Sequence, residues 1–144
     1  MEKPISMMSS MTPPRTVLMT QRDEARLKAL IPSAGSSEGP LLQSLVDHAN
    51  IVASEQIPTD TVTMNSRVRL RDLESGHELE VDLLFPHDVK ENKDGVSILS
   101  AAGIALFGLS EGESVHWTGP DGRERKLKVL SVVWQPEAEG LFQF

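Results

Sequence analysis

Two different periodicities divide the chain. Up to about Glu55 the apolar residues recur at helical spacing, first Ala25, Leu27, Leu30 and Ile31, then Leu41, Leu42, Leu45, Val46, Ala49 and Val52. From Val68 onward apolar and polar residues alternate, as on strands with one buried face. A short extended lead, "TVLM", precedes a first helix predicted over Gln21–Ile31. Thr20 is suited to cap it, Asp23 and Glu24 place negative charge against the positive end of the helix dipole, and Pro32 stops it. The stretch "PSAGSSEGP" reads as a loop, and a second helix is predicted from Leu41 to Glu55, ended by Pro58. Two helices joined by a short loop form an antiparallel hairpin.

The strand region allows registers to be tested. If Ser75 and Gly76 form a two-residue loop, Leu70 faces Val81 and Val68 faces Leu83 on one side. Arg71 then faces Glu80 and Arg69 faces Asp82 on the other, so the alternating Arg67, Arg69 and Arg71 read as a solvated face paired with acids rather than a phosphate site. In "TGPDGRE" Pro120 and Asp121 suit a type I turn and Gly122 the left-handed position after it, which sets Val115 against Leu127 and lets Val129 and Val133 continue inward. Between the hairpins lie a polar loop, "HDVKENKDG", a short strand at "VSIL", and a run of small and apolar residues, "SAAGIALFGLSEGE", that forms one short helix.

Composition narrows the function. A net charge of −7 argues against a domain that neutralises nucleic-acid phosphates, and thus against direct sequence-specific DNA binding. The chain has no cysteine, which removes disulfides and thiolate zinc sites and fits a reducing cytoplasm. Nothing approaches the roughly 20 apolar residues of a membrane span, and the N-terminus lacks the order of a signal peptide. Residues 1–15, rich in Met, Ser and Pro, read as a mobile tail.

Catalytic patterns are not found. His48, His77, His87 and His116 fall in four different elements without ligand spacing, so no metal site is expected. The glycines of "GPDG" and "SEGE" belong to turns rather than a phosphate loop, and no serine lies in a nucleophile elbow. No catalytic residue and no cofactor are assigned, and the chain is expected not to be an enzyme.

Three blocks, "VTMNSRVRLRDLESG", "VSILSAAGIALFGLSEGESVHW" and "GPDGRERKLKVLSVVWQPEAEG", following a helical hairpin, resemble the Gre transcript-cleavage factor family, and within it a branch named for regulating nucleoside diphosphate kinase. The resemblance covers about residues 16–142. It implies an α+β fold in which a short antiparallel helical hairpin, residues 16–58, precedes an FKBP-like Gre C-terminal domain, residues 59–144, with an antiparallel sheet and one short helix. It also implies a partner, bacterial RNA polymerase, met at the rim of its secondary channel. The polymerase contact corresponds to Leu99, Ser100, Ala101 and Ala102. Cleavage factors carry an Asp-Ser-Pro type sequence there, of which this chain keeps Ser100. An FKBP-like fold does not imply prolyl isomerase activity, because Phe107, Trp117 and Trp134 are read as a core cluster rather than a proline pocket.

In Gre factors acidic residues at the hairpin tip help to hold a catalytic magnesium. Here the tip offers Ser36, Ser37 and Glu38, one carboxylate where such sites use a rigid set. Helices of the predicted lengths reach only about 16 and 22 Å at 1.5 Å per residue. The expected function is binding at the channel without cleavage, as a monomer, in competition with longer factors. The alternative is regulation of nucleoside diphosphate kinase by another route.

Overall fold

Thr20 ends strand β1 (Leu18–Thr20) and caps helix α1 (Gln21–Leu30), its Oγ1 accepting the Asp23 N–H at 3.1 Å, as the sequence predicts. This is a computed structural model that describes residues 17–118 and 121–140; the tail read in 1–15, Pro120, and Leu141–Phe144 lie outside them. A single 3-10 turn, Ile31–Ser33, leads to helix α2 (Glu38–Asp47).

Helix α2 departs from expectation at both ends. It begins at Glu38 with Pro40 inside its first turn, where the missing N–H leaves no helical bond unmade. It stops at Asp47 because residues Asn50–Val52 are captured as β2, parallel to β1, with the Asn50 N–H donating to the Val17 carbonyl at 2.8 Å. Ala49 and Val52 fit helical spacing, but β-branched Ile51 and Val52 fit a strand as well, and the neighbouring β1 decides. On α1 the buried positions are Asp23 and Leu27, while Ala25, expected in the stripe, is exposed.

The remainder is a curled five-stranded sheet with short helices. Its strands are β3 (Arg67–Asp72), β4 (Glu78–Leu84), β5 (Gly95–Ser97), β6 (Ser114–Thr118) and β7 (Glu124–Trp134), in the order β5-β4-β3-β7-β6. Helix α3 (Pro86–Val89) follows β4 and helix α4 (Ala101–Leu106) follows β5. The mixed α+β class agrees with expectation, with two corrections. The sheet is not wholly antiparallel, since β5 runs parallel to β4. The polar stretch after Phe85 contains α3, started by Pro86 in the first turn, so there are two short helices rather than one.

The β3–β4 register differs from the expected one by two residues. Val68 faces Val81, and Arg67, Arg69 and Arg71 face Asp82, Glu80 and Glu78. The reason is a longer turn: Asp72 Oδ1 accepts the N–H groups of Glu74 and Ser75, Gly76 takes φ +78°, and the Asp72 N–H closes the loop on the His77 carbonyl at 2.8 Å. A shift of two leaves every side chain on its face, so arginines still oppose acids. The β6–β7 register is as predicted, with Val115 opposite Leu127 and Gly122 at φ +79°. Farther along β7 the pairing with β3 slips twice, so Val132 faces Val68 and Val133, expected inward, is 49% exposed.

One core serves both parts of the chain. Val17, Met19, Leu27, Leu42, Leu45 and Val46 are buried together with the inner face of the sheet and with Ile104, Leu106 and Phe107. Phe107 and Trp117 belong to this core, but Trp134 lies half-exposed at the far end of β7 opposite Arg67, outside the expected aromatic cluster. Helix α4 rests on the chain just before it: a Cβ added at Gly103 would come within 2.1 Å of the Ser97 carbonyl oxygen. Gln135, 1% exposed, ties the end of β7 to the connecting segment, its amide donating to the carbonyls of Pro58 and Thr61 at 2.8 and 2.7 Å.

A polar joint lies within this packing. Asp23, 2% exposed, accepts a bond from Arg26, whose guanidinium lies 4.6 Å from the Phe85 ring centre. The Thr63 hydroxyl donates to Glu137 at 2.8 Å. Burial raises the Asp23 carboxyl above its ordinary 3.8; the Arg26 bond and charge oppose this, and Glu137 adds to it.

Two outcomes are expected. Gly103→Ala should destabilise the fold by about 1–3 kcal/mol, because the new methyl meets backbone rather than a movable side chain; unchanged thermal unfolding would show that α4 does not lie as described. A carboxyl whose folded pKa is raised contributes stability below its unfolded pKa and loses it as pH rises through the folded value. Asp23→Asn should therefore gain on the parent in thermal unfolding as pH goes from about 4 to 7. A difference moving the other way would mean that the bond to Arg26 outweighs burial.

Candidate functional site

The turn from Leu99 into α4 is built by two serines. Ser97 Oγ accepts the Leu99 N–H at 3.0 Å. Ser100 is the helix cap, with φ −90° and ψ 157°; its Oγ accepts the Gly103 N–H at 3.1 Å and donates to the Ser97 carbonyl at 2.6 Å. Both functions of the Ser100 hydroxyl are thus used within the turn. Leu99, Ala101 and Ala102 are half-buried, packed from the outside against the core. The four residues expected to contact polymerase are therefore brought together on one turn, as a largely apolar step in which the Ser100 hydroxyl is bonded within the turn. Helix α4 contacts α2, β5 and β6. Half-buried Val96 of β5 also packs against the core, and sequence reasoning passed over it because it reads as an ordinary strand residue.

The tip residues Ser36, Ser37 and Glu38 form a second group, where the 3-10 turn and α2 meet. Ser36 and Ser37 are exposed, and Ser37 precedes α2 without a side-chain cap bond. Glu38 is the first residue of α2, and its carboxylate bends over Gly35: a Cβ there would lie 2.7 Å from Oε1. An acid in the first turn of a helix is explained by the dipole alone.

The arginine stripe is occupied by acids. Arg67 donates to Glu80 and Asp82, each at 2.9 Å, and to Asp94 at 3.3 Å. Arg71 reaches Glu78 at 2.8 Å, and Arg69 reaches Glu80 at 3.4 Å. The Arg67 bond is the main cause that lowers the Glu80 carboxyl, and the same bond leads the raising of Arg67. Arg69, Arg71 and Glu78 are exposed and Arg67, Glu80 and Asp82 half-buried at the surface, so solvent limits their contribution to stability, but they leave the stripe little charge for a phosphate.

A cleft of about 430 Å³ opens between α1 and the end of β4, lined by Arg26, Leu30, Asn65, Phe85, His87 and Asp88 among others. Its aromatic residue, Phe85, is covered by Arg26 on one face and stacked with His87 at 6.3 Å between ring centres. Asn65, at φ +67°, closes the turn into β3 with a bond from its N–H to the Leu83 carbonyl. Among the described residues no helix is long and apolar enough to cross a membrane.

Comparison with known proteins agrees with this architecture. The family described as "Transcription elongation factor, GreA/GreB, C-term" matches residues 57–133. The "Regulator of nucleoside diphosphate kinase" of Escherichia coli (strain K12) is 34% identical over 128 residues, 87% of this chain and 94% of that protein. The "Transcription elongation factor GreA" of Acetivibrio thermocellus is 31% identical over 91 residues, 63% of this chain and 57% of that protein. Among solved structures, a "Prokaryotic transcription elongation factor GreA/GreB from Nitrosomonas europaea" superposes with a TM-score of 0.71 at 31% identity, covering 83% of this chain and 99% of that one. With the match spanning the whole sheet and the helix-capping turn, the chain belongs to the GreA/GreB transcription elongation factor family.

Proposed function

We propose that the chain is a transcription regulator that docks on bacterial RNA polymerase at the rim of the secondary channel and does not stimulate transcript cleavage. In this reading residues 59–144 act as an FKBP-like docking domain, with Leu99, Ser100, Ala101 and Ala102 at the contact. Residues 16–58 act as a short antiparallel hairpin facing the channel. The protein works as a cytoplasmic monomer and competes with longer Gre factors for one doorway.

The observation that carries this reading is the reach and chemistry of the arms. Each arm helix has ten residues, about 15 Å of helix. The tip bears one carboxylate, Glu38 in the first turn of α2, whereas magnesium is usually held by one or two rigid carboxylates together with substrate phosphates. A plug of this size excludes competitors from an entrance without delivering metal to a distant RNA end.

Purified chain should be retained by core polymerase and should displace a cleavage factor from it. Ala101→Glu should weaken retention about tenfold or more, and because Ala101 is half-buried its thermal unfolding is measured alongside, a still cooperative transition separating a lost contact from a lost fold. Retention equal to the parent's would move the contact elsewhere. In backtracked complexes the chain should produce no shortened RNA, and Glu38→Ala should behave as the parent; trimming abolished by Glu38→Ala would defeat the proposal.

A second reading follows from the name of the Escherichia coli relative: direct action on nucleoside diphosphate kinase. Mixing with purified kinase in the absence of polymerase separates the two. A stable complex there, with no retention by polymerase, favours the second.

A further inference from the structure

In a chain of net charge −7, residues 123–128 carry Arg123, Arg125, Lys126 and Lys128, four of its 14 lysines and arginines. Arg125 is paired with Asp121 at 3.0 Å. Lys126 and Lys128 point to the outer face of β7, since Leu127 opposes Val115, a core residue of β6. Lys128 lies between Arg71 of β3 and Ser114 of β6, and Lys126 lies opposite His116. Neither lysine makes an ion pair with a described residue, and the carboxylate bound to Arg71, Glu78, lies on its far side, on β4. Reading across the sheet, the order is Glu78, Arg71, Lys128, Ser114.

Like charges on neighbouring strands destabilise a sheet. Folding therefore does not account for a lysine at 128, where a neutral polar residue would relieve the repulsion. Beside it, β6 forms the open edge of the sheet, and Ser114, His116 and Thr118 of that strand are exposed. An edge strand offers unpaired backbone groups to an added strand.

We propose that this edge binds an extended acidic segment of a partner protein, added alongside β6, with alternate carboxylates turned toward Lys126 and Lys128. Residues two apart on a strand are separated by roughly 6.6–6.8 Å, so alternate acids on the segment match the spacing of the two lysines. A nucleic acid fits less well, because Glu78, Glu80 and Glu124 interrupt the cations on the same face. Lys126 and Lys128 lie on the face of the sheet away from its buried side, while β6 itself also contacts α4, so the edge proposed here adjoins the polymerase contact proposed above.

The test uses the full chain and a short labelled peptide of alternating glutamate and valine, read by fluorescence anisotropy at low and high salt. The parent should bind it, more weakly as salt rises. The Lys126→Gln/Lys128→Gln double variant should lose about tenfold or more in affinity. Lys128→Gln alone should melt no lower than the parent, and higher if repulsion from Arg71 is the only effect lost. No binding by the parent, equal binding by the double variant, a lower melting temperature for Lys128→Gln, or tighter binding of a single-stranded RNA of the same length would each overturn the proposal.

Discussion

Ten residues in each arm helix is the constraint on which the structure depends. Isolated helices shorter than about 12–15 residues are marginal in water, so two such helices cannot stand as an independent hairpin. They are stabilised by what they bury, and they bury it in the core of the sheet: Leu27, Leu42, Leu45 and Val46 share one apolar cluster with Leu83, Ile104 and Phe107. Val17 completes the attachment. A Cβ at Gly108 would stand 2.5 Å from Val17 Cγ1, so the strand leading into the arms is pressed directly onto the turn after α4. Arms held in this way point where the core directs them.

The same packing shapes the turn before α4. Gly103 lets the helix lie against the Ser97 carbonyl, and Ser100 answers with a cap in which its hydroxyl both gives and receives a bond. The Ser100 proton is committed within the turn, and beside it stand the half-buried side chains of Leu99, Ala101 and Ala102. Recognition there depends on fit and on the water displaced from apolar surface.

What could be read from the sequence was whatever local rules decide. Thr20 and Ser100 announce their caps, Gly122 its turn, and the alternation around Val115 its register. The errors lie where two local signals compete and a distant neighbour chooses. Residues 49–52 carry both helical spacing and β-branching, and β1, some 30 positions away, settles them as strand. The β3–β4 turn holds a glycine suited to a tight loop, but the Asp72 side chain captures two amides and widens it. The bulges that turn Val133 outward leave no mark in the pattern, because they arise from pairing with β3. Asp23 was legible as a helix-start acid; its burial was not, since the residues that cover it come from elsewhere in the fold. Of the candidate site, the grouping of residues 99–102 was legible as a motif, whereas the internal use of the Ser100 hydroxyl needed coordinates.

Charge is distributed so as to leave particular surfaces available. The arginines of β3 face the acids of β4, so the most cationic pattern in the sequence is largely cancelled where it stands. Glu38, in the first turn of α2, is the one carboxylate among residues 34–40. Among the described residues, surfaces left exposed include the apolar step at the start of α4 and the lysines of β7 beside the edge strand β6. Both are surfaces another polypeptide could cover, and the binding role proposed for this chain draws on them.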